Sequence, residues 1–430
     1  MSPQDIQRLL ETAQRGISTF LDEARRDGRI DEQQYRQAVD NTFPALQHWM
    51  TTPRYAEICP SLHEGLRRTI EAANWDQLVN AYRQSCRFGT GGIRGMMAFD
   101  RESIRRLNDE GFSAPILRGP NTINEIVLLR TSAGVAKFGL GQDPPFAKVV
   151  IGYDSRVRGQ DFAKLVAQLF LACGYTVYLF DEPCPYPEVT YAIPSDLVKA
   201  DVGILLSASH NDYRYNGYKL SCSNGSQFDP EQRDEMYKQY IANVVPDDIR
   251  LLPFDQAPRE KLVFLGGDGP VPGVNYYGRE DRILNLHERH VNHVKSFLMF
   301  DRLAESQRRH PLRIAYCAYH GVGRKAVPRL LTEAGFREIN VIHENGLNEL
   351  NGLFPSFPSD PGKERQPDPG DERAARTAVA AYVKEYGSFA DRDLFIGTDP
   401  DADRCGVVVP VPENQRQLYG GQDWTLLPAD

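Results

Sequence analysis

From about residue 88 onward, short β-rich apolar runs alternate with amphipathic helical stretches, and this alternation constrains the fold more than any other feature of the chain. Val149-Val150-Ile151 reads as a strand ending in Gly152-Tyr153-Asp154, and a helical face with Phe162, Leu165, Val166, Leu169 and Phe170 follows. Tyr175 to Phe180 and Val202 to Leu206 are two further strand-like runs. A second series starts with a strand from Arg313 to Ala318 and a helix bearing Val327, Leu330 and Leu331. It continues through strand 339–342, helix 371–386, strand 394–396 and a return strand from Cys405 to Val409. Strands and one-faced helices in this order hide their apolar surface by stacking helices on a sheet, which predicts the α/β class. The expected architecture is consecutive α/β three-layer domains with mixed sheets, preceded by an N-terminal helical extension. Each series ends its strands in charged or glycine-bearing loops, where sheets of this kind hold ligands.

The helical extension is read from the first residues. Ser2-Pro3 supplies a cap with proline in the first turn, and Ile6, Leu9, Leu10, Ala13, Ile17, Phe20, Leu21 and Ala24 recur at helical spacing. A second helix includes Tyr35 and Val39, and a third runs from Leu66 to Tyr82. The expected organisation is an extension over 1–85, a first α/β domain over 86–250, a connection over 251–285 rich in Gly and Pro, a second α/β domain over 286–411, and the start of a third domain over 412–430. A chain of 430 residues exceeds one ordinary core, and 41% hydrophobic with 25% charged residues is a globular composition. The formal net charge of -8 argues against non-specific nucleic-acid binding, while leaving room for a locally basic site for an anionic small molecule. No run reaches membrane-spanning length and no apolar signal core stands at the N-terminus. The seven cysteines are odd in number and form no CxxC pair, so a disulfide framework or zinc site is not expected and a cytoplasmic location is.

Four strings carry chemistry. Ser207-Ala208-Ser209-His210-Asn211, followed by Asn216-Gly217-Tyr218-Lys219, sits directly after an apolar strand. A serine at a strand end is exposed enough to react, small neighbours leave space around Ser209, and His210 and Lys219 can supply a proton-transfer partner and a positive charge. Asp399-Pro400-Asp401-Ala402-Asp403-Arg404 places three carboxylates at alternate positions after a strand. Oxygen-only ligands suit magnesium or calcium rather than zinc, and an EF-hand is excluded because Arg404 and Pro410 occupy the positions that need Gly and Glu. In Phe88-Gly89-Thr90-Gly91-Gly92-Ile93-Arg94-Gly95 the glycines let backbone amides approach a phosphate, with Arg94 as its fork; a flexible glycine turn reads equally well. Gly152-Tyr153-Asp154-Ser155-Arg156 offers an Asp154–Arg156 ion pair in a supporting role. His320-Gly321 reads as a tight turn without chemistry.

Taken together and in this order, these strings resemble the α-D-phosphohexomutase superfamily of phosphoglucomutases, phosphomannomutases and phosphopentomutases, and are most similar to its phosphoglucomutase/phosphopentomutase branch. The resemblance implies Ser209 as a phosphorylated serine and Asp399, Asp401 and Asp403, with the Ser209 phosphoryl group, as ligands of Mg2+. It implies Arg94, Lys219 and Arg404 as phosphate-binding residues, Lys219 helped by His210 in proton transfer at a lowered pKa, and Asp154 and Arg156 in support. The implied activity is an isomerase that moves a phosphoryl group between the 1-position and the terminal hydroxyl of an aldose phosphate, with glucose 1-phosphate and glucose 6-phosphate as the expected pair and glucose 1,6-bisphosphate as intermediate and activator. The expected partner is a small-molecule sugar phosphate, with no nucleic acid or membrane and a monomer or weak dimer as the assembly. Asp212 stands where the family commonly has proline. The family's Gly-Glu-x-Ser-Gly-His and Arg-Pro-Ser-Gly-Thr loops are not found, so a truncated chain with no fourth domain is expected. A metal-dependent phosphatase, a non-catalytic fragment that binds metal or sugar phosphate, and a sugar bisphosphate synthase are the alternatives.

Overall fold

The computed structural model describes residues 1–89, 91–358 and 364–428. Its first sheet has seven strands: β1 (Ile93–Met96), β2 (Lys148–Tyr153), β3 (Thr176–Phe180), β4 (Val202–Leu206), β5 (Tyr215–Cys222), β6 (Leu262–Gly266) and β7 (Ile283–Asn285), in the order β1-β5-β4-β2-β3-β6-β7. Strands β4, β2, β3, β6 and β7 run parallel, while β5 pairs antiparallel with both β4 and β1 at one side. The second sheet has five strands: β8 (Arg313–Cys317), β9 (Glu338–Val341), β10 (Leu394–Thr398), β11 (Cys405–Pro410) and β12 (Trp424–Leu426), in the order β12-β11-β10-β8-β9. Here β10, β8 and β9 are parallel, and β11 and β12 antiparallel. Both sheets are mixed, as the alternating pattern predicts.

The first sheet is covered on both faces, which is why its central strands read as continuous apolar runs. Side chains alternate between faces along a strand: Val149 and Ile151 enter one core, and Val150 between them enters another with Val189, Ile193 and Leu205. Helix Gly159–Ala172 packs against β2 and β3, while helix Tyr186–Ala192 packs against β2 and β4. The N-terminal helices then lie on the first of these cores. Helix Pro3–Arg26 starts in a capping box, Ser2 accepting from the Asp5 amide at 3.2 Å and Asp5 accepting from the Ser2 amide at 3.3 Å. It buries the stripe Leu10, Ala13, Ile17, Leu21 and Ala24.

Three expectations are corrected. The third helix, expected from Leu66 to Tyr82, is two helices, Leu62–Glu71 and Trp75–Tyr82, separated where Ala73 takes a left-handed φ of 53°. The stretch expected as a connection, 251–285, contributes β6 and β7 to the first sheet; all five residues of β6 are buried, so a short apolar run prevailed over the glycines and prolines around it. Within 412–430, expected to begin a further domain, Trp424–Leu426 is the edge strand of the second sheet, paired with β11.

Candidate active site

The Ser209 loop is set by the end of β4. All five residues of that strand are buried, the strand ends at Leu206, and Ser209 follows, still buried, in a left-handed conformation with φ 55°. A non-glycine residue pays about 1–2 kcal/mol for that backbone and keeps it only where its surroundings hold it. They do. The Ser209 amide donates to Ser207 Oγ at 2.8 Å, and Arg156 Nη2 donates to the Ser209 carbonyl at 2.6 Å and the Asn211 carbonyl at 2.5 Å. The other arm, Nη1, donates to the carbonyls of Asp212 and Tyr215, each at 2.8 Å. Arg156 thus takes four carbonyls of one loop, and its amide and Nε face Asp154 Oδ1 at 2.9 Å and Oδ2 at 3.3 Å. Burial, against the nearby Arg156 charge, pushes the Asp154 carboxyl up to about 6. Asp154 and Arg156 thus hold the backbone of the serine loop in place.

The acidic loop is set by the turn from β10 to β11. Ala402 has a left-handed φ of 56° and its amide donates to the Asp399 carbonyl at 2.9 Å, which closes the turn. Beneath it, Gly321 lies so close that a Cβ there would meet Pro400 Cα at 2.6 Å, and the Val322 amide donates to the Pro400 carbonyl at 2.9 Å. The His320-Gly321 string is therefore a turn that supports the acidic loop, with His320 Nε2 3.0 Å from Ser356 Oγ. Asp399, Asp401 and Asp403 bring one carboxylate oxygen each to within 4.8 Å of one another.

The two loops meet. Ser209 Oγ donates to Asp399 Oδ2 at 2.7 Å across 190 positions of sequence, and Ser207 Oγ donates to Asp401 Oδ2 at 2.6 Å. Lys219, on β5 beside β4, reaches Asp401 Oδ2 at 2.7 Å and Asp403 Oδ2 at 2.6 Å. Ser209, Asp399 and Asp401 are completely buried. His210 Nδ1 lies 3.3 Å from Ser209 Oγ, and its Nε2 is 3.8 Å from Asp368 Oδ2. Arg94, on β1, is brought in by the pairing of β1 with β5 and donates to Asn211 Oδ1 at 2.9 Å. Gly92 precedes it with φ 100°, where a Cβ would stand 2.5 Å from the Tyr218 carbonyl. Thr90 of the same string lies outside the described residues.

The electrostatics follow from burial and repulsion. Burial and the charges of Asp401 and Asp403 push the Asp399 carboxyl well above the carboxylate range. Burial acts on Asp401 too, but the Lys219 ammonium and its hydrogen bond outweigh it and hold Asp401 below that range. Burial, with the charges of Arg404, Arg94 and Arg156, lowers His210 against the pull of Asp368. For Lys219 burial alone would lower the pKa, but Asp401 and Asp403 outweigh it and raise it, opposite in direction to the lowering expected. Arg404, expected to bind phosphate, directly follows the third aspartate. Its side chain is half exposed with Nε 3.9 Å from Asp403 Oδ1, and its closest contribution is its amide, which donates to Asp399 Oδ1 at 3.1 Å.

The donor set suits a hard divalent cation. Three carboxylates converge, and Asp401 Oδ1 is buried with no hydrogen-bond partner among the described residues, a position that a cation would satisfy. Four contributors had no role assigned from sequence: Ser207, Asn211, Tyr186 and Asp368. Tyr186 places its ring 4.3 Å from Lys219 Nζ, and its amide donates to the Asp401 carbonyl at 2.9 Å. The quoted Ser-Ala-Ser and His-Asn strings contained two of the four; nothing local marks the other two.

A family model described as phosphoglucomutase/phosphomannomutase, alpha/beta/alpha domain I, matches residues 108–244, and its domain II counterpart matches residues 288–411. Together they span more than half of the 430 residues. The chain belongs to the phosphoglucomutase/phosphomannomutase family. Ser209, Lys219 and the three aspartates lie within the matched segments, while Arg94 precedes them. Among curated relatives, a phosphoribomutase of Saccharomyces cerevisiae is 27% identical over 372 residues, 84% of this chain and 52% of the relative. A phosphoglucomutase of Staphylococcus haemolyticus is 25% identical over 337 residues, 78% of this chain and 50% of the relative. The chain spans about half the length of the curated relatives it matches. A crystal structure of a candidate phosphomannomutase from Thermus thermophilus shares the fold with a TM-score of 0.51 at 21% identity, over 76% of this chain and 57% of the other.

Proposed function

We propose that this chain carries the phosphoserine and metal half of a phosphosugar mutase, which moves a phosphoryl group between the 1-position and the terminal hydroxyl of an aldose phosphate. The observation that carries this reading is the 2.7 Å contact of Ser209 Oγ with Asp399 inside the cluster of three carboxylates. In this reading the bond from Ser209 Oγ to phosphorus breaks as a sugar hydroxyl bonds to that phosphorus, giving a sugar bisphosphate. The bisphosphate turns over, and its other phosphoryl group returns to Ser209 Oγ. A magnesium ion held by Asp399, Asp401 and Asp403 would offset the charge on the transferring group. Arg94, joined to the loop through Asn211, presents a guanidinium for phosphate oxygens. Lys219 keeps the acidic loop folded toward Ser209 by bridging two of its carboxylates. His210, with Nδ1 3.3 Å from Ser209 Oγ, is placed to exchange the proton of the attacking or departing hydroxyl.

Relatives named phosphoribomutase and phosphoglucomutase align with this chain at nearly equal identity, so both pentose and hexose phosphates belong in the assay; glucose 1-phosphate and glucose 6-phosphate are the first pair to try. Among the described residues no helix is long and apolar enough to cross a membrane, and all seven cysteines are free thiols; we place the protein in the cytoplasm. The test is peptide mapping by mass spectrometry after incubation with glucose 1,6-bisphosphate and Mg2+. Phosphate on Ser209, absent from Ser209→Ala, is expected. A protein that labels elsewhere, or that turns sugar phosphate over undiminished as Ser209→Ala, would refute the reading, and release of free phosphate in place of an isomer would favour a phosphatase.

A further inference from the structure

A second site stands apart from the acidic loop. Where helix Glu32–Thr51 of the N-terminal extension meets the first α/β unit, a cavity of about 750 Å³ remains, within the range of small-ligand sites. Three arginines line it, Arg87, Arg94 and Arg130, against the single carboxylate of Asp40, in a chain whose formal charge is -8. They come from three different elements: Arg94 from β1, Arg130 from helix Glu125–Leu140, and Arg87 from the segment before β1. The Nε of Arg94 and that of Arg130 are both buried with no hydrogen-bond partner among the described residues. His48, on the cavity wall, is lowered by burial and by the charge of Arg130, so it adds a neutral donor or acceptor rather than a further cation.

We propose that this cavity binds a small phosphorylated anion, with Arg94 and Arg130 as inner contacts and Arg87 at the rim. A lone carboxylate has two oxygens and serves one guanidinium fork, whereas a phosphate or diphosphate presents enough oxygens to serve forks arriving from separate directions. Aside from Arg94, which the proposed function also uses, the described lining of the cavity shares no residue with the Ser209–Asp399 contact. Arg94 also holds Asn211 in the serine loop, and this makes it the one side chain common to both places.

Isothermal titration with inorganic pyrophosphate in EDTA tests the proposal, since without a divalent ion the acidic loop repels the probe. Saturable binding is expected for the wild type, weakened about tenfold or more in Arg130→Gln. Circular dichroism checks that each variant is folded, and if Arg130→Gln is not, Arg87→Gln is read by the same criterion. Absence of binding at millimolar pyrophosphate, or wild-type affinity in the arginine variant, would each overturn it.

Discussion

The hydroxyl of Ser207 works in two directions: it accepts from the Ser209 amide at 2.8 Å and donates to Asp401 at 2.6 Å. It therefore ties the strained serine to one particular carboxylate of the other loop. A hydrogen bond of this kind, one step behind the metal ligands, orients them, and its loss weakens metal binding by about ten- to a hundredfold. Ser207→Ala is expected to reduce Mn2+ affinity by that factor, read by titration against free Mn2+ in electron paramagnetic resonance, with the fold intact; unchanged affinity would deny Ser207 this role. At this scale the sequence was most informative about the groups proposed to react and least about what holds them. Ser209, Asp399, Asp401 and Asp403 stand in compact strings because a strand-end loop supplies its own neighbours. Arg156 was readable as a partner of Asp154, but its grip on four carbonyls of a loop more than fifty residues away depends on how β2 lies beside β4. The raised pKa of Lys219 likewise followed from two aspartates far along the chain.

At the level of elements, the site depends on how closely β1, β5 and β4 approach. Gly217 on β5 has no room for a side chain, since a Cβ would lie 2.5 Å from both the Ile93 and Ser207 carbonyls. Gly217→Ala is expected to cost about 1–3 kcal/mol and to lower the melting temperature by several degrees, together with metal affinity, because the displaced atom belongs to Ser207. A melting curve that matches the wild type would contradict it. A second element-level prediction concerns helix Leu286–Ser296, whose His287 faces Glu182, Glu188, Asp181 and His290, with Lys325 paired to Glu182. Burial works against charge on His287, but hydrogen bonds to Glu182 and Glu188 raise it to about 10. Its stabilisation is thus fully present below the ordinary histidine value of about 6.5 and is lost as pH rises through about 10. His287→Gln is expected to lose about 3 kcal/mol near neutral pH, as for a buried pair left with one partner. Its stability should also fall less than that of the wild type between pH 7 and 10 in denaturant titrations; parallel pH profiles would contradict this. The strands β6 and β7 show what element-level reading missed: glycine and proline around Leu262–Gly266 signalled a connection, yet five apolar residues suffice for a buried parallel strand.

At the scale of the whole molecule, two α/β units each contribute one loop to a shared point. The alternation of strands and helices foretold both units and their mixed sheets, because burying two faces of a sheet leaves a pattern in the sequence. Their mutual placement left no such pattern. It rests on contacts such as Arg214 with Glu364 at 2.6 Å, the Arg156–Gly352 bridge, and Lys219 with Asp401 and Asp403. The placement nevertheless decides the proposed chemistry, since Ser209 alone is a buried hydroxyl and the aspartates alone are a cluster of carboxylates. Anomalous diffraction from crystals of this chain soaked in Mn2+ tests the shared point most directly. A single manganese peak is expected at about 2.0–2.6 Å from oxygens of Asp399, Asp401, Asp403 and Ser209 or its phosphoryl group. A manganese ion bound by the aspartates with Ser209 out of its reach, or bound elsewhere altogether, would contradict the account.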